Sequence, residues 1–220
     1  MKYCFFIALI LFTSFAHGQD EKHFVQVGVT ANAYKGDLQK SYENWGSSFH
    51  LGLRFNKKKR LNGSFLISIG SVTGQNLNPI FQNIENSTIQ PNRFFRSSIL
   101  TGQYDLQVNI IKTEQFAVFL SQGVGLMRHN PKDDQGNNLL DQNSTRAPNE
   151  DFNNISIMFP TQAGASLKLK NDFGFGIQTG FLNTLTDYID NISMLGSNNG
   201  NDNILFVRLS FLAPISLTKK

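Results

Sequence analysis

FHLGLRF, residues 49–55, sets Phe49, Leu51, Leu53 and Phe55 on odd positions and His50, Gly52 and Arg54 on even ones. A β-strand sends successive side chains to opposite faces, so this heptapeptide has one apolar and one polar face. The alternation recurs seven more times. Val25, Val27, Val29 and Ala31 oppose Gln26, Gly28 and Thr30, and Leu61, Phe65, Ile67 and Ile69 oppose Asn62, Ser64 and Ser68. Leu100, Tyr104 and Leu106 oppose Thr101, Gln103 and Asp105, and Phe116, Val118, Leu120, Val124 and Leu126 oppose Ala117, Ser121, Gly123 and Gly125. Further segments centre on Ile157–Lys168, Phe173–Phe181 and Leu205–Phe211. This predicts eight strands, each near the ~9–11 residues that cross a bilayer at a tilt.

The connections alternate in length. Short links are expected at Asn56–Arg60, Asn109–Glu114 and Lys170–Asp172, and long polar ones at Tyr34–Asn44, Thr73–Arg93, His129–Asn154 and Asn183–Asn203. The expected fold class is therefore all-β: an eight-stranded antiparallel transmembrane β-barrel with short periplasmic turns and long extracellular loops. Outward aromatics at both strand ends predict two interfacial girdles, Phe55, Tyr104, Phe116, Phe173 and Phe211 at one and Trp45, Phe94, Phe159 and Phe181 at the other. A secreted soluble barrel shares the alternation with its faces exchanged. The glycines of the polar face, among them Gly123, Gly164 and Gly180, favour that face as a narrow lumen.

Charged residues make up 16% of the 220 residues, against ~25% in ordinary soluble domains. A net charge of +4, dispersed along the chain, argues against a nucleic-acid partner. Residues 1–18, MKYCFFIALILFTSFAHG, have a basic start, a short apolar run and a small-x-small end. They read as a secretory signal peptide, with the barrel domain over 19–220. The one cysteine, Cys4, would leave with the signal, so no thiolate chemistry is expected in the mature chain.

Thr184-Leu185-Thr186-Asp187-Tyr188-Ile189-Asp190-Asn191-Ile192-Ser193 resembles the "TDYLDDVS" signature of a family of small outer-membrane barrels that includes the type IX secretion component PorG. Tyr34-Lys35-Gly36-Asp37-Leu38 resembles the family's "YxGDL" segment, and Pro160-Thr161-Gln162-Ala163-Gly164 is loosely similar to a third. Asn191 stands where the family carries a second adjacent aspartate. The resemblance implies an eight-stranded barrel in the cell outer membrane, with a role in envelope machinery such as type IX protein secretion. Thr186, Asp187, Tyr188 and Asp190 become candidate rim residues, for a partner or ion contact or for rim architecture.

Catalytic patterns are sparse. His23, His50 and His129 are too dispersed for a metal triad or a nucleophile–base pair, and Asp133-Asp134-Gln135-Gly136-Asn137 lacks the alternating ligands of a calcium loop. No cofactor and no enzymatic activity are expected. The alternatives are a small barrel enzyme acting on lipid or lipopolysaccharide, and a stand-alone structural or adhesive barrel. Expected partners are outer-membrane lipid and periplasmic secretion proteins. For the latter the candidate dock is the basic turn Lys57, Lys58, Lys59 and Arg60, with Ile110 and Ile111 as its apolar part. Arg54, Asp105, Lys168 and Arg208 are expected to form a lumen cluster toward the periplasmic end, with Asp105 paired to Arg208 or Arg54.

Overall fold

In the computed structural model, residues 23–55, 60–82, 89–197 and 200–215 are described. The signal segment and Lys57, Lys58 and Lys59 of the basic turn lie outside them. Eight strands follow one another: β1 (His23–Lys35), β2 (Trp45–Phe55), β3 (Leu61–Gln75), β4 (Phe94–Lys112), β5 (Phe116–Lys132), β6 (Ile155–Lys168), β7 (Gly174–Thr184) and β8 (Asn203–Ile215). Each pairs antiparallel with its neighbour, and β1 with β8 closes the barrel. Closure leaves no unpaired sheet edge.

The alternation read from the sequence sorts the faces as expected. Phe49 and Ile69 on the outer wall are each 63% exposed, while His50 is 2% exposed inside. Apolar side chains thus cover the outside, and polar ones line much of the interior. Phe173 stacks on Phe211 at 5.5 Å where β7 and β8 meet the turn end. Tyr104 lies across Gly63 on the neighbouring strand, and a Cβ at Gly63 would collide with its hydroxyl.

Three expectations are corrected. The strands are longer than a bare crossing: β3, β4 and β5 run to 15, 19 and 17 residues. Their loop-end extensions stay paired, Gln75 with Phe94 and Arg96 with Lys132, so Thr73 and His129 belong to strands and not to loops. The link expected over Asn109–Glu114 is mostly strand, because β4 continues to Lys112. Ile110 and Ile111 therefore stand on β4, at a register shift between Asn109 and Ile111. A bulge places two consecutive residues on one face, and both isoleucines are exposed on the wall.

The third correction concerns the lumen, which is polar only below its loop end. Nearer the loops, inward Phe95, Ile99, Met127, Met158 and Phe206 form an apolar floor. Onto it fold Leu38 from the first loop (36–44), Leu139 from the third (133–154) and Ile189, Ile192 and Leu195 from the fourth (185–202). Burial of these side chains holds the loops as a cap over the barrel mouth, each fully buried aliphatic contributing about 1.5–3 kcal/mol. In the polar zone, glycines make room for large neighbours. A Cβ at Gly164 would stand 2.5 Å from the Phe119 ring.

Candidate functional site

The resembling segment, Thr184–Ser193, is the centre of the cap. Thr186 turns the chain: its hydroxyl accepts from the Tyr188 amide at 3.2 Å, and its carbonyl accepts from the Asp202 amide at 2.8 Å. Ile189 and Ile192 then point into the apolar floor while Asp190, between them, meets the polar atoms of β1 and the first loop. Its Oδ2 accepts from the Leu38 amide at 3.1 Å and its Oδ1 from the Ile192 amide at 2.9 Å. Asp202 Oδ2 accepts from the Ile189 amide at 2.8 Å.

Tyr34 joins the two aspartates. Its hydroxyl oxygen stands 2.6 Å from Asp190 Oδ2 and 2.6 Å from Asp202 Oδ1. A phenol has one hydrogen to give. Two contacts this short are both satisfied when one carboxyl keeps its own proton and donates it to the phenol oxygen. Asp190 has two backbone amides to support a negative charge and Asp202 has one, so of the two Asp202 is the carboxyl that keeps its proton to higher pH.

The electrostatics agree with that stereochemistry. Burial drives the Asp202 carboxyl well above its ordinary value, reinforced by Asp190 and Asp187. Burial lifts Asp190 to about 7 despite the hydrogen bond from Tyr34, with Asp37 adding to the rise. Asp187 is lifted to about 8, by burial first and then by Asp37, Asp190 and Glu150. Tyr188 donates to Glu150 Oε1 at 3.0 Å and is lifted to about 12, by burial first and then by Glu150. Of the candidate rim residues, Thr186 and Asp190 are buried and Asp187 and Tyr188 half-buried, all four within the cap. Asp190 is committed to intramolecular bonds.

Asn191 ties the fourth loop to two others. Its Nδ2 donates to Asn92 Oδ1 at 3.2 Å and Thr145 Oγ1 at 2.9 Å, and its Oδ1 accepts from Arg146 Nη1 at 2.9 Å. Arg146, itself buried, also donates to the carbonyls of Leu139 and Leu140 and lies 5.1 Å from the Phe152 ring. Asn191 has φ of 73°, a left-handed conformation that asparagine tolerates better than most residues. We expect Asn191→Leu to loosen the cap by about 2 kcal/mol, from lost bonds and backbone strain. Asn191→Gly should relieve the strain while losing the bonds. Amide hydrogen exchange over residues 139–146 and 186–197 measures both effects.

The structure divides the four charges expected to cluster in the lumen. Arg54, Asp105 and Arg208 are buried inside. Lys168 is at the turn-end mouth, 3.6 Å from Asp172. Arg208 is opposite Thr30 and Gln178, near the middle of β1, and not toward the turn end. No direct ion pair joins Asp105 to either arginine among the described residues. The Asp105 carboxylate accepts from Gln103 Nε2 at 2.8 and 2.9 Å. Arg208 donates to Gln162 at 3.3 Å and Gln178 at 3.2 Å and lies 4.6 Å from the Phe206 ring, while Arg54 lies 4.5 Å from Phe119. Aromatic faces and side-chain amides solvate the guanidinium groups here, which sequence alternation does not reveal.

His50 is a bonded lumen residue: Nδ1 is 3.0 Å from Thr30 Oγ1 and Nε2 2.9 Å from Ser210 Oγ. His129 is buried in β5 with its ring 5.8 Å from Phe152, not at the opening of a loop. Among the docking candidates, Arg60 begins just below β3, and Ile110 and Ile111 stand on the wall. Tyr34, Asp202 and Arg146 were not singled out from sequence. The "YxGDL" resemblance touched Tyr34, but nothing local marks the other two.

No family model matches the chain, and no curated protein sequence matches it. Solved structures do. Neisserial surface protein A superposes with a TM-score of 0.53 at 10% identity, over 87% of this chain and 96% of that one. Ail, the attachment invasion locus protein of Yersinia pestis, superposes with a TM-score of 0.51 at 8% identity, over 90% of this chain and 100% of that one. At such identities the likeness is one of fold: a small eight-stranded barrel of the outer-membrane type.

Proposed function

We propose that this chain is a non-enzymatic outer-membrane barrel that anchors or helps assemble an envelope machine, in the first instance type IX protein secretion. The observation that carries the membrane part is the polarity of the wall: large apolar side chains face outward on all eight strands around a filled, hydrogen-bonded interior. Water would penalise that surface, and a bilayer would not. β1 begins and β8 ends at the barrel end that carries the short turns, which supports reading that end as periplasmic.

The cap and the filled lumen argue for a scaffold over a diffusion pore. The His50–Ser210 contact sits inside this lumen, away from any lipid substrate. The secretion role rests on the segment around Thr186, Asp187, Tyr188 and Asp190, and on Arg60, Ile110 and Ile111 as turn-end contacts for periplasmic proteins. Lys57, Lys58 and Lys59, outside the described residues, belong to the same proposed contact. Deleting the gene is expected to leave type IX cargo in the periplasm, with rescue by the intact chain. Secretion at the parental level in the deletion strain sinks the machine role.

A further inference from the structure

The outer wall is not uniformly bulky. On β6 three successive outward residues are short: Thr161, Ala163 and Ala165. The strands on either side carry larger ones, Phe116, Val118 and Leu120 on β5 and Phe175, Ile177 and Phe181 on β7. The register sets Leu120 beside Ala163, and Val118 and Ile177 on either side of Ala165. The β7 neighbour of Ala163 is the short Thr179, so the resulting trough is one strand wide at Ala165 and opens onto β7 at Ala163. It has two depressions along the same strand, about 650 Å³ around Ala163 and about 240 Å³ around Ala165.

At Ala165, between Val118 and Ile177, its width is that of one lipid chain, and around Ala163 it is wider. The flanking strands stand about 10 Å apart across β6, at ~4.8 Å per strand spacing. From Thr161 to Leu167 the strand rises about 20 Å. At the usual barrel tilt that descends about 15 Å, half of a ~30 Å hydrocarbon core. The loop end of the trough is closed by the Thr161 hydroxyl donating to Gln122 at 2.8 Å. At its foot stands the exposed Leu167, below which β6 runs into the turn Leu169–Phe173, where Lys170 is exposed and Asp172 is paired with Lys168. A cation at the interfacial level below an apolar trough is complementary to a phosphate ester carrying an acyl chain.

We propose that the outer face of β6 is a binding site for one phospholipid of the turn-side leaflet, its acyl chain along Ala165 and Ala163 and its phosphate at Lys170. This rests on the membrane reading above. Bulky side chains in the trough exclude the chain sterically, and reversal at Lys170 repels the phosphate, so the two ends can be tested separately.

The test uses the full mature chain refolded in detergent and titrated with phosphatidylglycerol, with bound lipid counted by native mass spectrometry. One lipid should be retained above the nonspecific background. Ala163→Phe with Ala165→Phe should weaken retention about tenfold or more, and Lys170→Glu should weaken it several-fold. Ile69→Phe, on the opposite wall, should leave it unchanged. No retained lipid, or equal retention by the trough-filled variant and the control, overturns the proposal. So does a dimer that the trough-filling pair breaks, which would make the occupant a second copy of the chain. Insertion into vesicles, followed by heat-modifiable migration, is measured on the same samples. A protein that inserts but retains no lipid loses only the trough, whereas one that fails to insert loses the membrane reading itself.

Discussion

Arginine in place of Leu51 is expected to disfavour membrane insertion by about 2–4 kcal/mol, the cost of a lipid-facing cation near the bilayer midplane. Leu51 lies at the centre of β2, between Val27 and Ile67 of the adjoining strands, and is 58% exposed on the outer wall. Nothing there can receive a guanidinium, because its neighbours are aliphatic. The penalty should be smaller for Ile177→Arg, which lies nearer the turn end of β7, where the side chain reaches headgroups. Ser68→Ala, on the inward face of β3, should barely change insertion. The fraction refolded into vesicles across a urea series gives all three values. Equal tolerance of arginine and alanine would falsify the orientation of the wall.

Docking of the cap is expected to be strongest in acid and to weaken as pH rises through about 7 and 8. Asp190 and Asp187 hold their protons more tightly in the docked cap, at about 7 and about 8, than the ordinary carboxyl at 3.8. The folded state therefore binds more protons than the released loop across that interval. Stability conferred by those protons is fully present below the ordinary value and is lost as pH rises through the docked values. Above that range a cluster with Asp37, Asp187, Asp190 and Asp202 must accumulate negative charge in a buried site. Glu150 from the third loop adds to it, and Arg146 is engaged by carbonyls and amide oxygens.

Exchange protection of the amides of Leu38, Ile189 and Ile192, corrected for the intrinsic pH dependence, should fall from about pH 4 to about pH 8, the range spanned by these shifts. Asp202→Asn supplies a permanent donor to Tyr34 and removes one proton from the balance. It should flatten the dependence while keeping the cap docked at pH 5. Protection that is independent of pH in the unaltered chain would remove the shared proton from the account.

How much of this was legible in the sequence follows from the range of the interactions. FHLGLRF and its seven counterparts determined strand existence, face and order, because a two-residue period depends on backbone geometry alone. Loop and turn lengths then determined antiparallel neighbours, and the polar, glycine-bearing face correctly indicated the lumen. The family resemblance also singled out the Thr186-Asp187-Tyr188-Ile189-Asp190 segment. It could not say what the segment does in the fold, since Ile189, Ile192 and Leu195 follow no period that names their partners.

Tertiary structure alone decided three things. Tyr34 meets Asp190 and Asp202 across 156 and 168 residues, and only closure of β1 on β8 brings them together. The apolar loop-end floor exists because inward Phe95 and Phe206 are covered by loops from elsewhere in the chain, which strand alternation cannot anticipate. The bulge at Asn109–Ile111 turned two turn candidates into wall residues, because a one-residue register shift is set by the paired strand and not by the strand's own composition.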